Sequence, residues 1–143
     1  MSASRNVGVM REIFAAIEQR DAGRFAELMQ PDVEFHWPPS LPYGGSTRGP
    51  EPDGPTWGRT WLRLQPDEAE RRMDPRIVAA GDGEVVVLWR QRGRSPSGER
   101  LDSQVLGLYR LHDGRLARAQ MFYFDPVTVA AFIAAARSEQ APA

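Results

Sequence analysis

The second half of the chain alternates apolar and polar side chains with a period of two, and this pattern limits the possible folds more than any other. Residues 84–94, EVVVLWRQRGR, set Val85, Val87, Trp89 and Gln91 against Val86, Leu88, Arg90 and Arg92. Successive strand side chains point to opposite faces, so this is a strand whose two faces meet different surroundings. Residues 101–111 follow a Ser-Pro-Ser-Gly turn, and Asp113-Gly114 is a hairpin signal into a further strand over 115–124. Residues 68–80 are polar and broken by Pro75, as expected of an edge strand.

The first half reads differently. Val9, Ile13 and Ile17, with Met10 and Phe14 beside them, give an amphipathic helix over 4–19. Asp21 is placed to cap a second helix over 22–29, with Phe25, Leu28 and Met29 inward, and 32–37 is the first strand. A third helix over 55–64 puts Trp57, Trp61 and Leu64 on one face, although Pro52, Gly54, Pro55 and Gly58 keep it short. Asp125 caps a closing helix with Pro126 in its first turn and Val129, Phe132 and Ile133 as its apolar stripe, and the tail after Arg137 frays. Helices followed by a run of antiparallel strands mean an α+β fold. At 143 residues, with no repeat or linker, the expectation is one domain with its core over about 7–136.

The stretch 32–49, DVEFHWPPSLPYGGSTRG, is where a site is expected. Loops rich in proline and glycine are normally polar and superficial. This one carries His36, Trp37 and Tyr43 on backbone stiffened by Pro38, Pro39 and Pro42. Rigid backbone presenting ring faces with a few polar tips suits the mouth of a small-molecule pocket. The other reading is that Trp37 and Tyr43 plug the core beside a strand end.

Several chemistries are excluded by what the chain lacks. It has no cysteine, and all 18 of its basic residues are arginine. Thiolate nucleophiles, thiolate metal sites and lysine Schiff bases are therefore impossible. Two histidines, His36 and His112, make a histidine-rich metal site unexpected, and neither a dinucleotide fingerprint nor a phosphate loop occurs. No metal, nucleotide, flavin or other cofactor is expected. A net charge of −1 provides no field for nucleic acid or an anionic membrane. No apolar run approaches the ~20 residues of a membrane span, and the start MSASRNVG lacks the apolar stretch of a signal peptide, so the expectation is cytoplasmic.

Taken together, "VEFHWPP", "YGGSTRG" and "DGRL…YFDP" resemble the SnoaL-like polyketide cyclase and ketosteroid-isomerase-like group, which has the nuclear transport factor 2-like fold. The resemblance implies a curved antiparallel sheet wrapped by three to four helices into a cone with a deep apolar pocket. It also implies a homodimer paired through the outer sheet face, here bearing Leu106 and Leu108. That fold hosts isomerases, cyclases, epoxide hydrolases, dehydratases and binding domains, so it does not name a reaction. Ketosteroid isomerases use a tyrosine on the first helix, an aspartate at the first strand's end and a protonated aspartate on a later strand. The matching positions here are Ile13, Trp37 and Gly107, which excludes that mechanism. The Asp–Arg–Asp set of the limonene-epoxide-hydrolase relatives corresponds to Trp89, Gln91 and either Met121 or Phe122, the choice resting on a one-residue bulge in the last strand.

Within that frame the expected partner is a small apolar organic ligand, polycyclic or terpenoid-like. The expected activity is cofactor-independent acid–base chemistry of secondary metabolism; the alternative is a non-catalytic binding or accessory domain. His36 and Asp102 are the candidate proton carriers, since imidazole titrates near pH ~6.5 and a desolvated carboxylate makes a usable base. Tyr43 is grouped with them as a hydroxyl that donates to a carbonyl or oxyanion. Each has a plainer reading: a histidine bonded to a loop carbonyl, a solvated strand start beside Arg100, a loop aromatic acting as a lid. Gln91 can orient a carbonyl but cannot act as a base. The ligand-binding set is Trp37, Trp57, Trp61, Trp89, Gln91, Ser103, Tyr109, Gln120 and Phe122. Asp102 and Gln104 share one strand face, with Ser103 and Tyr109 on the other. His112 and Asp113 fall at an exposed hairpin tip, and Arg90, Arg92 and Arg94 form a solvated or dimer-edge face.

Overall fold

A computed structural model describes residues 2–51 and 56–140, without the side chain of Gln140. Helix α1 (Ala3–Glu18) begins where the Ser2 hydroxyl accepts from the Arg5 amide, and it buries Val9, Met10, Ile13 and Phe14 as their spacing requires. Helix α2 (Ala22–Glu27) is capped by Asp21. Strand β1 (Met29–Trp37) follows at once and turns back through β2 (Gly45–Arg48), a four-residue strand inside what reads as loop. Helix α3 (Thr56–Leu62) buries Trp61; its expected first residue, Pro55, lies outside the described residues. The expected edge strand 68–80 divides instead into a one-turn helix α4 (Glu68–Arg71) and β3 (Arg76–Ala80), split at Pro75. Burial of Glu70, 3.2 Å from Arg94, holds the α4 turn against β4.

Strand β4 (Glu84–Arg94) coincides with the alternating run, and β5 (Arg100–His112) and β6 (Arg115–Tyr123) follow as a hairpin. Asp113 and Gly114 both take positive φ, 50° and 75°, the geometry that lets a two-residue turn match the twist of its strands. Helix α5 (Pro126–Gln140) starts at Asp125, which accepts from the Thr128 amide at 3.0 Å and the Thr128 hydroxyl at 2.6 Å. Those bonds hold the Asp125 carboxyl below its usual range. The helix continues three residues past Arg137, where fraying is expected from the sequence.

The six strands form one curved, open sheet in the order β2-β1-β6-β5-β4-β3. It is not antiparallel throughout, because β1 runs parallel to β6, with Phe35 opposite Ala119 and His36 opposite Gln120. The β1–β2 pair and the β3–β6 meander are each set by local turns, and where they meet, strand direction follows from packing. Five helices, rather than three or four, are present among the described residues. Helix α1 lies against β3 and β4, and buried Asn6 fastens it by donating to the carbonyls of Gly81 and Asp82. None of the described helices is long and apolar enough to cross a membrane.

Register decides which side chains enter the core. In β6 the pairing shifts by one residue, Leu111 facing Leu116 and Arg110 facing Arg118. That bulge turns Ala119, Met121 and Tyr123 inward beside Val85, Val87, Trp89, Val105 and Tyr109. It turns Phe122, which is 49% exposed, onto the outer face.

Candidate functional site

Aromatic rings fill the inner face of the sheet. Trp37, at the end of β1, stacks on Trp57 of α3 with centroids 5.8 Å apart and planes within 10°. Tyr43 stands edge-on to Trp37 at 5.3 Å, and Trp61, Trp89 and Tyr123 complete the group through contacts of 6.2–6.5 Å. Trp61 and Trp89 are 0% and 2% exposed, whereas Trp37 and Trp57 are half-buried and form its outer end. All four tryptophans of the chain therefore lie in one cluster.

Two glycines make room for this arrangement. In the 38–44 turn the Leu41 amide donates to the Pro38 carbonyl and the Gly44 amide to the Leu41 carbonyl. A Cβ on Gly44 would run into the Pro38 carbonyl oxygen, so only glycine lets the turn close and carry Tyr43 into the interior. On β5 the Tyr109 ring lies directly over Gly107, filling the space a side chain there would occupy. The Tyr109 hydroxyl thus occupies the inner-face space beside Gly107.

The polar atoms in the cluster are mostly donors. Tyr43 and Tyr123 share a hydroxyl–hydroxyl hydrogen bond of 2.6 Å in the buried interior. Trp57 Nε1 donates to Gln91 Oε1 at 3.0 Å. The indole N–H groups of Trp61 and Trp89 are buried and make no well-formed hydrogen bond. They lie near enough to Tyr43 and Tyr109 to oppose slightly the rise in those phenols' pKa. Burial is nevertheless the largest effect on Tyr43, Tyr109 and Tyr123 and holds all three phenols well above the usual tyrosine range. They are proton donors at neutral pH. Among the described residues, no carboxylate or imidazole belongs to the cluster.

The structure brings together most of the residues singled out from the sequence. Tyr43, Trp37, Trp57, Trp61, Trp89 and Gln91 meet as described, with Ser103 and Tyr109 on the same face through the pairings Gln91–Ser103 and Val85–Tyr109. Four residues are placed elsewhere. His36 alternates with Phe35 and Trp37 and so projects from the outer face, where the Ser46 hydroxyl lies 2.7 Å from Nδ1 and Glu34 3.4 Å from Nε2. Asp102, 47% exposed, is paired on that face with Arg90 at 2.6 Å and Arg92 at 3.3 Å. Gln120 faces outward opposite Leu108, and Phe122 opposite Leu106. Desolvation of Asp102 against Trp89 does not occur, because the sheet lies between them.

Tyr123 is the site residue that sequence reasoning missed. The bulge that exchanges Phe122 for its neighbours was the available signal, since moving the register by one residue places both Met121 and Tyr123 inward. Among the described residues no group of three or more histidine, aspartate or glutamate side chains could hold a metal ion.

With this geometry in view, comparison with known proteins settles the family. The family described as SnoaL-like domain matches residues 10–119, and the chain belongs to it. An uncharacterised protein of Mycobacterium tuberculosis is 27% identical over 132 residues, which is 92% of this chain and 98% of that protein. Bal32a, from a soil-derived mobile gene cassette, superposes with a TM-score of 0.76 at 20% identity, covering 91% of this chain and 97% of its own. TerC, crystallised with polyporic acid, gives a TM-score of 0.69 at 20% identity, covering 91% and 98%. Proteins described as nuclear transport factor 2-like share the architecture.

Proposed function

We propose that this protein binds a small, mostly apolar, flat molecule bearing oxygen acceptors inside the aromatic cluster. The observation that carries the reading is the excess of buried donors: two indole N–H groups that make no well-formed hydrogen bond and have only phenol oxygens near them, beside a phenol pair that keeps its protons. An unpaired buried donor costs ~1–3 kcal/mol, which an acceptor on a ligand would recover. Ring faces supply the apolar contact, at ~25 cal/mol per Å² removed from water. The ligand enters by parting the half-buried Trp37–Trp57 stack. TerC, of the same fold, was crystallised with polyporic acid, which makes that compound a reasonable first probe.

The chemistry open to such a site is polarisation of a carbonyl by Tyr43 and Tyr123. Proton abstraction by His36 or Asp102 is not supported, since both project from the other side of the sheet. Binding is therefore the primary reading, and the phenol pair is where any turnover would centre. The same reading includes a second copy of the chain on the outer sheet face, where Leu106 and Phe122 are exposed beside Leu88 and Leu108.

Tryptophan fluorescence tests the proposal directly, because every tryptophan reports on the one cluster. Titration with polyporic acid is expected to quench it saturably. Tyr123→Phe should weaken binding about tenfold, or ~1.4 kcal/mol, while His36→Ala and Asp102→Asn leave it unchanged. An absence of saturable quenching, or equal losses in the His36 and Asp102 variants, would refute it.

A further inference from the structure

On the outer face of β1 and β2 a serine, an imidazole and a carboxylate stand in one line of contact. The Ser46 hydroxyl is 2.7 Å from His36 Nδ1, and Glu34 Oε1 is 3.4 Å from His36 Nε2. Strand register produces this arrangement. The Gly49 amide donates to the Val33 carbonyl, so along this antiparallel ladder His36 and Ser46 are a pair that exchanges no backbone hydrogen bonds. Side chains of such pairs approach most closely, and Glu34 follows two residues away on the same face. The partners also fix the proton. His36 Nε2 is shut off from solvent and makes no well-formed hydrogen bond, with the Glu34 carboxylate as the group beside it. A carboxylate only accepts, so Nε2 carries the N–H and Nδ1 is left to accept from the Ser46 hydroxyl. Burial pushes the Glu34 carboxyl up, but Arg48 and His36 outweigh it and hold the group below the usual carboxylate range. Ser46 is exposed on β2, an edge strand, and its own amide points away from β1 toward the open edge.

We propose that Ser46, His36 and Glu34 form a hydrolytic centre for small carboxylic esters, separate from the aromatic cluster and on the opposite side of the sheet. Ser46 Oγ attacks the ester carbonyl carbon while its proton passes to His36 Nδ1, and Glu34 stabilises the imidazolium. The carbonyl oxygen, now negative, accepts from the Ser46 amide at the sheet edge. The carbon–oxygen bond to the alcohol then breaks, and the alcohol leaves with the proton held on Nδ1. Water, activated by the same nitrogen, releases the acid and restores Ser46. Because Ser46 is exposed, short acyl groups that need no deep pocket are the expected substrates. The exposed Leu106 and Phe122 lie on β5 and β6, so a second copy seated there leaves Ser46 at the rim.

The chain lacks cysteine and lysine, so stray acylation is low. The protein and its Phe122→Arg variant are treated with diisopropyl fluorophosphate, and the modified residue is located by peptide mass spectrometry. Hydrolysis of 4-nitrophenyl acetate is followed alongside. Label is expected on Ser46 in at least one of the two forms. Ser46→Ala and His36→Ala should each lower kcat/KM by about 10²–10⁴-fold, with circular dichroism unchanged. Glu34 acts through His36 as a positioning residue: Glu34→Gln should lower kcat at unchanged KM, and Glu34→Asp should recover part of the loss. His112→Ala, which removes the other imidazole, and Tyr123→Phe, which weakens the aromatic cluster, should both leave hydrolysis unchanged. Failure of this centre is thus distinguishable from failure of the binding site. Absence of label on Ser46 in both forms, or hydrolysis that survives Ser46→Ala, overturns the proposal.

Discussion

Raising the pH probes the interior of this protein with unusual clarity. Cysteine, tyrosine and lysine are the side chains that ordinarily titrate between about pH 8 and 12. This chain has no cysteine and no lysine, and its three tyrosines, Tyr43, Tyr109 and Tyr123, are all buried. Burial raises each phenol's folded-state pKa above the unfolded value of ~10, so its contribution to stability is fully present below pH ~10. Above that, unfolding releases up to three protons that the folded chain retains. Stability then falls by ~1.4 kcal/mol per pH unit for each phenol, or ~4 kcal/mol per unit for three. Against a typical ~5–15 kcal/mol, cooperative unfolding is expected between about pH 11 and 13.

Absorbance at 295 nm counts phenolates, and far-ultraviolet circular dichroism follows the fold. The two signals should change together in one step, with little phenolate at pH ~10 where the chain in urea is already half ionised. Phenolate appearing near pH 10 while the dichroism is unchanged would mean that water reaches the phenols. The donor role assigned to Tyr43 and Tyr123 would then fail.

The phenol pair also makes a double-mutant cycle informative. Tyr43→Phe or Tyr123→Phe alone leaves the other hydroxyl buried without its 2.6 Å partner and should cost ~1–3 kcal/mol in urea unfolding, whereas removing both should cost less than the sum; additive losses would show that the bond does not couple them. For the outer face, sedimentation at micromolar concentration is expected to give a dimer that Phe122→Arg converts to monomer. A wild-type monomer would sink the assembly reading.

Much of the fold was legible in the sequence where the determining contacts are local. The α1 stripe, the two faces of β4, the Asp113-Gly114 turn and the Asp125 cap each follow from residues within a few positions of one another. The aromatic cluster was legible in part, because Trp89 and Gln91 alternate on a strand with a clear pattern and Trp57 and Trp61 are one helical turn apart. What local pattern could not decide was how distant segments meet. The parallel docking of β1 on β6 and the turn of α4 are set by partners far along the chain, and the polar GSTR segment becomes β2 only by folding back on β1. The same holds for the site. A one-residue bulge in β6 exchanges Phe122 for Met121 and Tyr123, and strand alternation carries His36 and Asp102 to the outside. Side-chain identity determined which chemical groups this protein possesses. Tertiary register decided which of them share a face, because a strand has period two and a single-residue shift reverses every side chain.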